Sequence, residues 1–153
     1  MRSKFATPGD AYLMRLGELV YQISTLEGLL IWDIPRLSKA LPDSFGTRGL
    51  LKATTRSIGQ QLIDVSSKAT DDVVREYLRF GGSVLLSAGE SRNHILHARP
   101  ATDENNIQRL HRNTGDKWFW IDDTYLDFAL DQVATDMDRL NEKRPSFDNW
   151  PTA

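Results

Sequence analysis

The sequence predicts an all-α fold, a four-helix up-and-down bundle with a small β-hairpin inserted before the last helix. Three observations predict it. Apolar residues recur at three- and four-residue steps along separate stretches, the pattern of helices that bury one side. Capping residues stand where those stretches begin: Asp10, Thr47, Thr70-Asp71-Asp72 and Asp122-Asp123-Thr124. Ahead of the last stretch the period breaks at the aromatic run Trp118-Phe119-Trp120, which favours strand.

The first helix is predicted over residues 10–34, with Leu13, Leu16, Val20, Ile23, Ile31 and Ile34 on one side. Pro35 then stops or kinks it, because proline costs a helical hydrogen bond. Ser24 and Glu27 interrupt the apolar side. Glu27 follows Val20 by two turns, so its carboxylate either snorkels at an edge or pairs with a buried cation. Residues 41–46 read as a loop, and a second helix over residues 49–68 carries Leu50, Leu51, Ile58, Leu62 and Val65.

The third helix starts at the Thr70-Asp71-Asp72 cap and has Val74, Leu78, Gly81, Leu85, Gly89 and Leu96 as its stripe. Glycines in a helix cost about 1 kcal/mol each, a cost tolerated where another backbone approaches closely. They indicate close helix packing or a dimer seam. Pro100 ends this helix. A polar loop at 101–106 precedes a short hairpin, with strands at 107–111 and 117–121 around the turn Arg112-Asn113-Thr114-Gly115-Asp116. The last helix uses Leu126, Leu130, Val133, Met137 and Leu140. Residues 1–9 read as a loose arm and residues 144–153 as a tail, leaving a single domain and no internal repeat.

At 153 residues the chain can bury a core without staples. A net charge of -2 and a pI near 5.9 argue against a strongly cationic, sequence-blind nucleic-acid binder, though not against a local basic patch. The absence of cysteine excludes disulfides, thiolate metal sites and cysteine nucleophiles. The N-terminal residues lack a signal-like apolar run, and no stretch approaches membrane-spanning length. A cytoplasmic protein without membrane partners is the expectation.

Reactive side chains crowd together in one place, Glu90-Ser91-Arg92-Asn93-His94-Ile95-Leu96-His97-Ala98-Arg99-Pro100. On an ideal helix Asn93 and His97 share a face, with Glu90 one turn further back. Arg92 follows Leu85 by two turns and falls on the apolar side, where a permanently charged guanidinium needs an anionic partner. Glu27 is the first candidate for that partner; a phosphate brought by a ligand is the other.

The hexapeptide Arg92-Asn93-His94-Ile95-Leu96-His97 resembles the Rx4–6H motif, in its RNxxxH form, of HEPN domains (higher eukaryotes and prokaryotes nucleotide-binding). Gln22-Ile23-Ser24-Thr25-Leu26-Glu27 resembles the first-helix segment of small bacterial members, where a glutamate follows a leucine. The resemblance spans about residues 13–140, and these two patches carry its specific residues. It implies a four-helix bundle and metal-independent RNA cleavage without a cofactor, with two copies of the motif facing each other across a homodimer. It also implies the setting of a toxin or effector in a bacterial defence system, held by an antitoxin or regulator.

The chemistry suits those residues. A 2′-hydroxyl that attacks its own phosphodiester must lose a proton, and the leaving oxygen must gain one. Imidazole, which titrates near neutrality, can serve either step, so His97 is the candidate acid or base. Arg92 would hold the phosphate and stabilise developing charge, and Asn93 would orient His97 or bind a phosphate oxygen. A tyrosine found two residues after the histidine in one subgroup is replaced here by Arg99, which can add a phosphate contact.

Plainer roles stand beside each of these. His97 can cap its own helix end, and Arg92 with Glu27 can be a purely structural bridge. His94 is expected to face solvent. His111 has no carboxylate-histidine spacing near it that would make a metal site. The tryptophans can stack bases or form one side of a core. Asp71-Asp72 and Asp122-Asp123 precede helices and are read as caps rather than metal ligands. The alternative function is a non-catalytic HEPN-like module that binds a nucleotide or a protein.

Overall fold

A computed structural model describes residues 7–147 of the chain; the expected start of the N-terminal arm and the end of the tail, including Trp150, lie outside them. The described residues are mostly helical. Helix α1 (Asp10–Asp33) passes into a 3-10 segment (Ile34–Ala40), followed by the single turn α2 (Thr47–Leu50), then α3 (Thr55–Ser66) and α4 (Asp72–His97). Three strands follow, β1 (Arg99–Thr102), β2 (Gln108–Asn113) and β3 (Trp118–Ile121), before α5 (Asp123–Lys143). No helix is long and apolar enough to cross a membrane among these residues.

Helix α4 is the centre, packed against α1, α3 and α5. Its start is fixed by Asp71, whose carboxylate accepts the Val74 N–H at 3.0 Å, and α5 is capped the same way by Asp122 on Tyr125 N–H at 2.8 Å. The core is filled from all four long helices by side chains such as Leu19, Ile23, Leu26, Leu30, Leu62, Tyr77, Leu78, Leu85, Leu126 and Leu140.

Two corrections concern the helices. The second helix does not run through residues 49–68. The chain breaks after Leu51, which is 68% exposed, and restarts where the Thr54 hydroxyl accepts the Ser57 N–H. The order is also not up-and-down. Arg15 pairs with Asp123 and Asp127 at one end of α1, and Asp33 pairs with Arg144 at the other, so α1 and α5 run parallel. α4 runs against them, with Tyr77 beside Asp33 and Lys143 beside Glu76. α3 also runs against α4, because Arg56 abuts Gly89 while Ile63 abuts Gly82. The 3-10 segment and the loop after it carry the chain back before α3 begins. Pro35 ends the first helix as expected, but the return is made without a long helix.

The glycines of α4 mark close packing within the chain. A β-carbon on Gly82 would lie 2.6 Å from the Gly59 carbonyl oxygen, and one on Gly59 would lie 2.7 Å from that of Gly82. Of the expected α1 stripe, Ile23, Ile31 and Ile34 are buried, but Leu13 is 44% exposed, and Tyr12, Leu19, Leu26 and Leu30 are buried as well. Asp33 is buried at the C-terminal end of α1, where the helix dipole disfavours an anion. It is held by the Tyr77 hydroxyl at 2.6 Å and by Arg144, which donates from Nε and a terminal nitrogen at 2.8 and 2.7 Å.

The expected two-strand hairpin is a three-stranded antiparallel sheet, ordered β1-β2-β3. Residues 99–102, read as the end of the third helix and the start of a loop, form the extra strand. Pro100 fits there because β1 is an edge strand, where a missing N–H is tolerated. Arg99 stands opposite His111, and His111 opposite Trp120. The sheet is tied to α1 by Tyr12, whose hydroxyl donates to the Ile121 carbonyl at 2.6 Å and accepts the Leu110 N–H at 3.1 Å.

Candidate functional site

The expected site lies at the end of α4, and two features of the fold decide its geometry. α3 starts at Thr55, beside Gly89: a β-carbon there would stand 3.3 Å from that of Thr55. α3 therefore does not extend along the last two turns of α4. Arg92 and Leu96 continue the buried stripe past this point, so Arg92 is only half-buried and Leu96 is 56% exposed. Then Ala98 takes an extended backbone, and the chain turns directly into β1 and the sheet folds back on the helix end.

Arg92 has no hydrogen-bond or ion-pair partner among the described residues, and its expected pairing with Glu27 is not formed. The half-buried carboxylate of Glu27 instead accepts from the Thr55 hydroxyl at the start of α3. The reason is register. Glu27 lies level with Thr55 and Gly89, whereas Arg92 lies most of a turn beyond. Asn93 is half-buried and His97 exposed; among the described residues neither side chain has a hydrogen-bond partner, and they do not bond to each other.

His94 is the side chain whose surroundings differ most from expectation. Rather than facing solvent it is 21% exposed, packed edge-on to Phe119 with ring centres 5.1 Å apart. Phe119 in turn stacks on Tyr125 at 5.9 Å. The His94 Nε2 is 3.7 Å from a Glu90 carboxylate oxygen, while its Nδ1 is buried without a partner. Burial pushes the imidazole below its ordinary pKa; the Glu90 charge opposes this and the Arg112 charge adds to it.

His97 opens on a cleft of about 640 Å³ where α4, β1 and the ends of β2 and β3 meet. The cleft is lined by His97, Arg99, Pro100, Ala101, His111, Arg112, Asn113 and Trp118. Among the described residues, two arginines and two histidines line it and no carboxylate does. His111 sits between Trp118 and Trp120, with ring centres 5.1 and 4.5 Å away. Arg112 donates to the Asn113 carbonyl at 2.8 Å and keeps a buried Nε without a partner.

Of the residues read from the sequence, the structure brings His97 and Arg99 to this cleft; Arg92, Asn93 and Glu27 are not in its lining. Trp118, read as able to stack bases or to form one side of a core, also lines it, and His111, Arg112 and Asn113 line it without having been read as site residues. Their signal was the strand alternation of the two segments, but only the register shows which residues stand together. Among the described residues, no three His, Asp or Glu side chains gather to hold a metal ion.

Comparisons with protein-family models, curated proteins and solved structures find no match to this chain.

Proposed function

We propose that the chain is a metal-independent endoribonuclease of the HEPN kind, with an active site shared between two copies. The observation that carries this reading is that Arg92, Asn93 and His97 have no side-chain partners among the described residues, at the end of α4 that α3 leaves uncovered. A half-buried, unpaired guanidinium is costly unless an anion meets it, and a phosphodiester is such an anion. Arg92 and His97 point about 140° apart on the helix, so one copy does not aim both at one phosphate. Two α4 ends facing each other would, with the arginine of one copy opposite the histidine of the other.

In that arrangement one imidazole takes the proton from the 2′-hydroxyl, whose oxygen attacks the adjacent phosphorus. The second imidazole gives a proton to the departing 5′-oxygen, leaving a 2′,3′-cyclic phosphate and a 5′-hydroxyl. Arg92 holds the charge that builds on the phosphoryl oxygens. Asn93, on the face of His97, positions the phosphate. The bundle expected of a HEPN domain, with its motif near the end of a late helix, accords with the place of α4. Its setting would be the cytoplasm, as the toxin or effector of a defence system restrained by an antitoxin or regulator.

The test is cleavage of RNA in the presence of a chelator. Wild type should produce 5′-hydroxyl ends, His97→Ala should be slower by about 100-fold or more, and Arg92→Ala should also be impaired. Mixing the two inactive variants should leave cleavage impaired, since the mixed dimer keeps only one of the two imidazoles that the reaction uses. Equal rates for wild type and His97→Ala would remove His97 from the chemistry. RNA binding without cleavage by wild type would leave the non-catalytic module.

A further inference from the structure

The cleft beside His97 has the composition of a binding site for one stretch of unpaired nucleic acid. Trp118 is 67% exposed, an unusual place for an indole that could have been packed inward. Alternation along β3 puts Trp118 and Trp120 on one face, and the register places His111 of β2 on that face too. The three rings form a ladder, tilted by 36° and 51° at its two steps.

One cation stands on the ladder's face, and a second reaches the cleft from the other face of the sheet, where Arg112 is opposite Phe119. Arg99, opposite His111, is exposed and has no side-chain partner among the described residues. Arg112 is committed to the Asn113 carbonyl through one terminal nitrogen, and its Nε is buried, so it contributes charge to the lining rather than a free donor. Among the described residues the lining carries two arginines and no carboxylate, so the cleft concentrates positive charge on a chain whose net charge is -2. Its volume of about 640 Å³ is in the range of small-ligand sites and is ample for a nucleotide with its flanking phosphates.

We propose that this cleft binds a single-stranded segment of the RNA substrate, with an unpaired base stacked on Trp118 and a phosphate against Arg99. Stacking requires a free base face, and a duplex hides its base faces while offering only phosphates. A strand lying across the sheet passes the exposed His97 at the cleft edge, so the same segment reaches the end of α4. This rests on the ribonuclease reading for the choice of RNA, and it narrows the substrate to unpaired regions.

The test uses a 3′-fluorescein-labelled 2′-O-methyl hexa-adenylate, which lacks the attacking hydroxyl and is not cleaved, with binding followed by fluorescence anisotropy. Trp118→Leu should weaken binding at least about ten-fold while leaving the melting temperature unchanged. Arg99→Gln should flatten the dependence of log K on log salt by about 0.7. A blunt RNA duplex and free AMP should compete poorly. The proposal is overturned if wild type does not bind at low salt, if Trp118→Leu binds as wild type does, or if duplex or AMP competes as well as the strand.

Cleavage separates the two ideas. Trp118-dependent binding without any cleavage sinks the ribonuclease reading and keeps the cleft. Cleavage that Trp118→Leu leaves unchanged at limiting RNA concentration does the reverse.

Discussion

His94 is held between the helix that carries it and the sheet that covers it, so its protonation is coupled to folding. Burial keeps its folded pKa below the ordinary value of 6.5, and the unfolded chain therefore binds the extra proton more readily. The stability it contributes is present above about pH 6.5 and is lost as the pH falls through the lowered folded value. Thermal melts between pH 7.5 and 5 should show wild type losing more stability than His94→Gln; parallel curves would refute the coupling. Asp33 makes a second prediction at this scale. Its carboxylate holds both Tyr77 and Arg144, and burial, followed by the Asp33 contact, pushes the Tyr77 phenol well up. Asp33→Asn removes the charge that Arg144 faces and should destabilise the fold by about 3 kcal/mol, read from urea unfolding.

At the scale of elements, the contact between α3 and α4 is set by backbone approach rather than side-chain bulk. Gly82→Ala would put a methyl against the Gly59 carbonyl and within 2.7 Å of the Ile63 side chain, neither of which is a flexible end. The helices must part, and a loss of about 1–3 kcal/mol is expected. Gly17→Ala meets nothing within 4 Å on α1 and should instead stabilise by about 0.5–1 kcal/mol. Unfolding midpoints that rise for both would mean that helix propensity, not approach, governs these sites. The start of α3 depends on Thr54, and Thr54→Ala should cost about 1 kcal/mol by freeing the Ser57 N–H.

For the molecule as a whole, the cleft exists because the sheet is docked, and Tyr12 is a buried polar tie between it and α1. Its hydroxyl satisfies both the Ile121 carbonyl and the Leu110 N–H, and Arg109 lies 4.4 Å over its ring. Tyr12→Phe keeps the ring but leaves two backbone groups unsatisfied, a cost of about 1–3 kcal/mol. Amide exchange in β2 and β3 should accelerate in this variant more than exchange in α3. Uniform acceleration would show that the sheet does not open separately. If the sheet loosens, the RNA binding proposed at Trp118 should weaken even though no cleft residue has changed.

Much of the helical framework was legible locally. The Asp71 and Asp122 caps, the stop at Pro35, the turn around Gly115 and the strand character of Trp118-Phe119-Trp120 all act within a few residues of themselves, so spacing alone exposes them. The stretch from Arg92 to His97 was legible in the same way as a helix end rich in polar groups. What only the tertiary structure decided depends on contacts between distant segments. α1 and α5 run parallel because Arg15 and Asp33 find partners more than 100 residues away at opposite ends of α5. Glu27 meets Thr55 rather than Arg92 because α3 begins beside Gly89. His94 is covered, and His111, Arg112 and Trp118 are brought to His97, because β1 turns the chain back on α4. Periodicity reports which side of an element is apolar, but not which neighbour will stop short of covering it. The end of α4 is open for that reason, and its opening makes Arg92 and His97 available to a partner.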